Sequence, residues 1–121
     1  MSSKNKENTQ IDSAQKLAKL IKENKLVVIK ISASWCGPCK NKEFLNNYTK
    51  LKSNYSTQTN VKFVELDIDN DSEIIEDKKY FDITIGSVPT FFISNNGSFI
   101  KKFEGSTYLQ TINKYLYDNI S

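Results

Sequence analysis

Histidine and arginine are both missing from this 121-residue chain, and cysteine, proline and glycine are scarce, at two, two and four residues. Each shortage removes a class of chemistry. Without histidine there is no imidazole to act as general base in a nucleophilic triad. A zinc site needs about four ligands, usually cysteine or histidine, so two thiolates would have to be completed by carboxylates. Covalent haem attachment is excluded because Lys40, not histidine, follows the second cysteine. Without arginine there are no guanidinium forks for phosphate or guanine. The longest apolar stretch, residues 26–29, is far too short to span a membrane. Thiol redox chemistry through Cys36 and Cys39 is what remains.

Apolar residues make up 38% of the chain and charged residues 26%, the proportions of an ordinary globular domain. A chain this long can bury a core without metal or disulfide staples. Its net charge of +3, carried entirely by lysine, demands neither nucleic acid nor a membrane as partner. Residues 1–8 read as a flexible polar tail and residues 9–121 as one domain, with no repeat or internal linker. No apolar segment of a secretion signal occurs in the first ten residues. The expected compartment is therefore the cytoplasm, where thiols stay reduced. Asn-x-Ser/Thr triplets at Asn47 and Asn96 are what chance gives in so asparagine-rich a chain.

Along the chain, Ile11 is a candidate end for a short edge strand. Asp12 or Ser13 can cap a helix reaching about Asn24, with Ala14, Leu17, Ala18 and Ile21 as its apolar stripe. Residues 25–32 read KLVVIKIS, a β-branched run typical of a strand buried on both faces and interrupted only by Lys30. Phe44, Leu45, Tyr48 and Leu51 repeat at helical spacing to about Asn54. Residues 61–68 form a second central strand. Residues 69–80 read as a helix, with Ser72 as a candidate cap. Residues 90–94 and 98–103 are strands joined through Asn95-Asn96-Gly97, since Asn-Gly is a strong hairpin signal. Residues 107–120 close the chain as a helix. This order implies an α/β domain, a central mixed β-sheet flanked by helices on both faces.

Trp35-Cys36-Gly37-Pro38-Cys39-Lys40 carries the chemistry. The pair falls where a buried strand gives way to a helix, and helix N-termini offer free N–H groups and a positive dipole end that favour an anion. A thiolate is the nucleophile, and such a setting lowers a thiol pKa. Cys36, nearer the open end, is the expected nucleophile. Cys39, one turn on, is the expected resolving thiol. Read from the residues alone, the pair also fits half of an intermolecular zinc site or a structural disulfide. Trp35 also fits an ordinary core position, and Pro89 a simple strand-start proline. The acidic run Glu65, Asp69, Asp71, Glu73, Glu76, Asp77 reads as a solvated face, with steering of a partner as its alternative.

The chain after its tail resembles thioredoxin. The likeness rests on Ala33-Ser34-Trp35-Cys36-Gly37-Pro38-Cys39-Lys40, on Val88-Pro89-Thr90 opening a strand, on Asn96-Gly97 and on Gly105 before the last helix. It implies a thioredoxin fold, a cis Val88–Pro89 bond beside the cysteines, and an apolar substrate surface of Trp35, Gly37, Pro38, Val88, Pro89 and Gly105. It also implies a monomeric protein-disulfide reductase acting in electron transport and cell redox homeostasis. Disulfide-containing proteins would be its substrates, an NADPH-dependent, flavin-bearing thioredoxin reductase its electron donor, and no cofactor or metal its own. Pro38, where oxidising relatives often carry histidine, speaks against an oxidant or isomerase. A non-catalytic binding subunit is the other alternative.

Three positions depart from the family pattern. Lys30 stands where a buried aspartate is usual. A buried ammonium requires a partner, for which Glu65 is the candidate; an alternative is a lysine that snorkels to the surface. Lys30, paired with Glu65, is thus a candidate tuner of the thiol pKa values. Phe44 replaces a kinking proline, predicting a straighter helix. The segment between Asp69 and Pro89 is several residues longer than usual, with Tyr80–Gly86 as the expected insertion and an approach to the cis-proline expected of it.

Overall fold

In the computed structural model, which describes residues 11–121, the β-branched run becomes strand β1, Leu26–Ser32. Both its faces are covered, as the lack of polar alternation requires. β1 pairs in parallel with β2 (Val61–Asp67) and antiparallel with β3 (Thr90–Asn95), and β3 pairs antiparallel with β4 (Ser98–Glu104). The sheet order is β2-β1-β3-β4. This is the mixed sheet the element order implies. The tail expected over residues 1–8 lies outside the described residues. So does any strand preceding Ile11, which itself packs on the core without being in a strand.

Alternate residues of β1 feed two cores. Val27, Ile29 and Ile31 pack with Val64, Leu66 and Phe92 beneath α1 (Ala14–Glu23). Leu26 and Val28 pack with Phe63, Phe91 and Ile93 beneath α3 (Lys42–Asn54) and α5 (Leu109–Asn119). Each fully buried aliphatic or aromatic side chain contributes about 1.5–3 kcal/mol, so the two layers together hold the sheet. Ser13 caps α1, its hydroxyl accepting from the Lys16 N–H at 3.1 Å. Among the described residues no helix is long and apolar enough to cross a membrane.

Two helices differ from expectation. The stretch after the motif is divided into α2 (Gly37–Lys40) and α3 at Asn41. Asn41 leaves the helical region at φ −59°, ψ 128°, and its side chain caps α3 by accepting from the Phe44 N–H at 3.0 Å. The helix passes Phe44 without a break, but the run is not the single straight helix expected, because Asn41 supplies a new N-cap. The helix expected over residues 69–80 shrinks to α4, Ser72–Ile75, with Ser72 its first residue rather than its cap. The Asp71 carboxylate accepts from the Asp67 N–H at 2.7 Å instead of capping α4. Extending α4 would also align Glu73 with Glu76 and Asp77, like charges at destabilising spacings.

The hairpin follows the asparagine–glycine signal. Asn96 and Gly97 take φ of 53° and 90°, the positive values that a two-residue type I′ turn requires. β4 is bulged, since Ile93 opposes Lys101 while Ser94 opposes Phe99, leaving Ile100 as the extra residue. Part of the segment before the cis-proline is anchored far from the cysteines. Phe81 packs on Phe99, and Tyr80 and Phe81 lie beside Ala18, Lys22 and the hairpin turn, at the end of the sheet away from Thr90. Of Tyr80–Gly86, Phe81 is buried core at that far end and Tyr80 is 36% exposed, while only Ser87 separates Gly86 from the cis Val88–Pro89 bond.

Candidate active site

The C-terminal end of β1, the start of β3 and the end of β4 meet at one end of the sheet, and the cysteine loop follows β1 there. Cys36 is the N-cap of α2 and Cys39 lies one turn on, with their Cα atoms 5.3 Å apart and the two sulfurs joined in a disulfide. Both residues are buried, at 4% and 5% exposure. The Cys39 N–H donates to Cys36 Sγ at 3.1 Å. Cys36 Sγ also lies 3.6 Å from the Val88 carbonyl oxygen, a contact that becomes a hydrogen bond when the thiol carries a proton.

The Val88–Pro89 bond is cis, as the resemblance implied. Backbone contacts hold that loop: the Gly105 N–H donates to the Pro89 carbonyl at 2.8 Å, and the Thr90 hydroxyl to the Ser87 carbonyl at 2.6 Å. Gly105 takes φ of 122°, a conformation that side chains rarely adopt and that glycine reaches without strain. The reading of Pro89 as a mere strand-start residue is therefore incomplete. Trp35 is not a core residue: it is 65% exposed, and its indole N–H donates to Asp69 Oδ2 at 2.8 Å. Asp69 went unrecognised in the acidic run, although its place just beyond β2 was a usable signal. Asp67 shapes the same turn, its carboxylate accepting from the N–H groups of Asp69 and Asn70 at 2.9 Å each.

Lys30 and Glu65 form a neighbouring cluster. The Lys30 side chain is 5% exposed, which excludes snorkelling, and its ammonium lies 3.4 Å from Glu65 Oε1. Lys52, a residue the sequence did not single out, meets the other carboxylate oxygen at 2.8 Å. Both ammonium groups face the Tyr48 ring, at 4.6 and 5.2 Å from its centroid, a favourable cation–π arrangement. Burial pushes the Lys30 amine below its ordinary value, opposed by the charge and hydrogen bonding of Glu65. Burial alone would raise the Glu65 carboxyl, yet the Lys52 hydrogen bond and the Lys30 charge hold it below its ordinary value. Burial, with Glu65 adding to it, pushes the Tyr48 phenol well up.

The thioredoxin family model matches residues 8–118. Thioredoxin 1 of Plasmodium falciparum is 33% identical over 108 residues, covering 87% of this chain and 94% of that protein. The chain belongs to the thioredoxin family. Mitochondrial thioredoxin-3 of Saccharomyces cerevisiae is 32% identical over 98 residues, 81% of this chain and 69% of its own. The crystal structure of the oxidised form of that yeast protein superposes with a TM-score of 0.72 at 29% identity, covering 98% of this chain and 99% of the other. Family members act on disulfide substrates and are reduced by thioredoxin reductase. With its cysteine pair placed to form a disulfide, this thioredoxin domain is a thiol–disulfide oxidoreductase that reduces protein disulfides.

Proposed function

We propose that Cys36 is the attacking thiolate and Cys39 the resolving thiol, with substrate held against Trp35, Gly37, Pro38, Val88, Pro89 and Gly105. The observation that carries this assignment is the Cys39 N–H donated to Cys36 Sγ, because a donor aimed at a sulfur favours its anion. The Cys36 thiolate attacks one sulfur of the substrate disulfide, forming a mixed disulfide and releasing the other sulfur, which takes up a proton. Cys39 then loses its proton and attacks Cys36 Sγ, closing the internal disulfide and releasing the second substrate thiol. Two electrons and two protons pass from the dithiol to the substrate.

Magnitudes show what the anion contributes. At a pKa near 8.5 roughly 3% of a thiol is ionised at pH 7, and at about 7, the established value for thioredoxin, roughly half is. The fifteenfold gain (about) is offset by a roughly fivefold loss of intrinsic reactivity at a Brønsted slope of ~0.45. The larger benefit lies in the resolving step, where a less basic Cys36 departs more readily.

The electron donor in this reading is an NADPH-dependent thioredoxin reductase, the working form a monomer and the compartment the cytoplasm. Lys30, offset by Glu65, is at most a modest influence on the thiols. Redox titration in glutathione buffers tests the direction of flow. A potential near −270 mV, the established thioredoxin figure, is expected. One above about −200 mV would make the chain an oxidant instead.

A further inference from the structure

Tyr108 is out of place by the ordinary rules of helix starts. It is the N-cap of α5, a position that favours a short side chain able to accept from the first turn, and its side chain makes no such bond. The neighbouring Thr107 is a residue of the kind that caps. Tyr108 is also 37% exposed, a large aromatic left partly in water three residues after Gly105. It is nonetheless held in place. Its ring packs on Phe103 with centroids 5.3 Å apart, and Cε2 stands 3.7 Å from where a Cβ on Gly105 would lie.

Short contacts connect this ring to the reacting sulfur. Cys36 Sγ touches the Val88 carbonyl at 3.6 Å, Pro89 accepts from the Gly105 N–H at 2.8 Å, and Gly105 borders Tyr108. The sheet order fixes the sides. Trp35 is tied to Asp69, just beyond β2, whereas Gly105 and Tyr108 follow β4 at the opposite edge. With strands ~4.8 Å apart, the β1 end and the β4 end lie two spacings, about 10 Å, from each other. At ~3.3 Å per extended residue, that distance spans about three residues of a peptide lying across the site.

Resting on the reading of Cys36 as the attacking group, we infer that Tyr108 is a specificity-determining residue. Its ring forms a second aromatic wall, across the site from Trp35. The occupant is an extended substrate segment carrying an aromatic or large aliphatic side chain about two or three positions from the cysteine under attack. Gly105 leaves the floor between the walls open, since it projects no side chain into the path. A rigid aromatic with a polar tip suits such a contact, gaining apolar area while its hydroxyl stays in water.

The test uses the pre-reduced full chain and pairs of synthetic peptides with one internal disulfide. The members of a pair differ only by Phe or Ser placed two or three residues to either side of one cysteine. Single-turnover reduction is followed by the appearance of peptide thiols, and the readout is the Phe-to-Ser rate ratio, which a merely structural role of Tyr108 would not move. A ratio of about ten is expected at one placement. It should fall to about one in Tyr108→Ala and persist in Tyr108→Phe. Equal rates for the two peptides with the unaltered protein, a ratio unchanged in Tyr108→Ala, or its loss in Tyr108→Phe would each overturn the inference. Failure to reduce either peptide is a different result and would refute the assignment of Cys36 itself.

Discussion

The molecule holds two buried polar centres built on opposite plans. Around Cys36 and Cys39 the supporting contacts come mostly from the backbone: the Cys39 N–H, the Val88 and Pro89 carbonyls, the Gly105 N–H. Around Lys30 they come from side chains alone, with Glu65, Phe44 and Tyr48 around its ammonium and Lys52 on the other oxygen of Glu65. A backbone frame survives changes in most of the side chains around it, so a sulfur pair mounted on it is insensitive to sequence drift nearby. A side-chain cluster has no such protection, because each member exists to neutralise or cover another. This contrast explains how the chain carries a buried lysine in β1 and still assembles the cysteine loop.

The sharpest way to break the comparison is at the sulfurs. Cys36→Ser should reduce insulin disulfides no faster than the dithiothreitol background while unfolding at nearly the same urea concentration as the reduced parent. Loss of fold together with loss of activity would contradict the separation of frame from function. The next effect in size belongs to Glu65→Gln, which leaves two largely buried ammonium groups without their shared carboxylate. Removing one partner of a buried pair costs about 3–5 kcal/mol, and the one-third exposure of Glu65 brings this to about 2–3.

The same pair predicts a pH dependence. Because the Glu65 carboxyl titrates lower in the folded chain than in the unfolded one, its contribution is complete above the ordinary carboxylate range. It is lost as pH falls through the folded value. The difference in urea midpoint between parent and Glu65→Gln should therefore be full at pH 7 and narrow below about pH 4.

Lys30→Met should have a smaller and opposite effect. The amine is held below its ordinary value, with burial outweighing Glu65, so its charge opposes folding at neutral pH. Methionine there should stabilise by about 1 kcal/mol. The gain should shrink as pH rises towards the ordinary lysine value and the parent's amine loses its proton on folding. The smallest expected effect is on the thiols. Lys30→Met should raise the thiolate absorbance titration of the reduced protein by less than about one unit, since Glu65 already offsets the cation. Superimposable titrations would confine Lys30 to the stability of the sheet.

Much of this was legible in the chain. The two-sided burial of β1 follows from an apolar run without alternation, and the hairpin from Asn96-Gly97. The cysteine loop follows from residues that match a known pattern. What was not legible depended on competition between local and distant partners. Asn41 could cap a helix or continue one, and only its packing position decides. The acidic run from Asp69 has fair helix propensity, but Asp71 is drawn to the Asp67 N–H and Phe81 to Phe99. Lys52 was missed because a lysine on a helix surface is ordinary; its proximity to Glu65 arises only when α3 is laid on β2.

The spacing of the two cysteines has a thermodynamic consequence. A disulfide between residues only three apart closes so short a ring that it removes little freedom from the unfolded chain, worth about 2 kcal/mol on a chain-entropy scale. Redox state and folding form a closed cycle, so the folded chain must favour the disulfide over the dithiol by that same amount relative to the unfolded chain. For a two-electron couple this is about 40 mV. The melting temperature of the protein is thereby a record of how many of its molecules have given up their electrons.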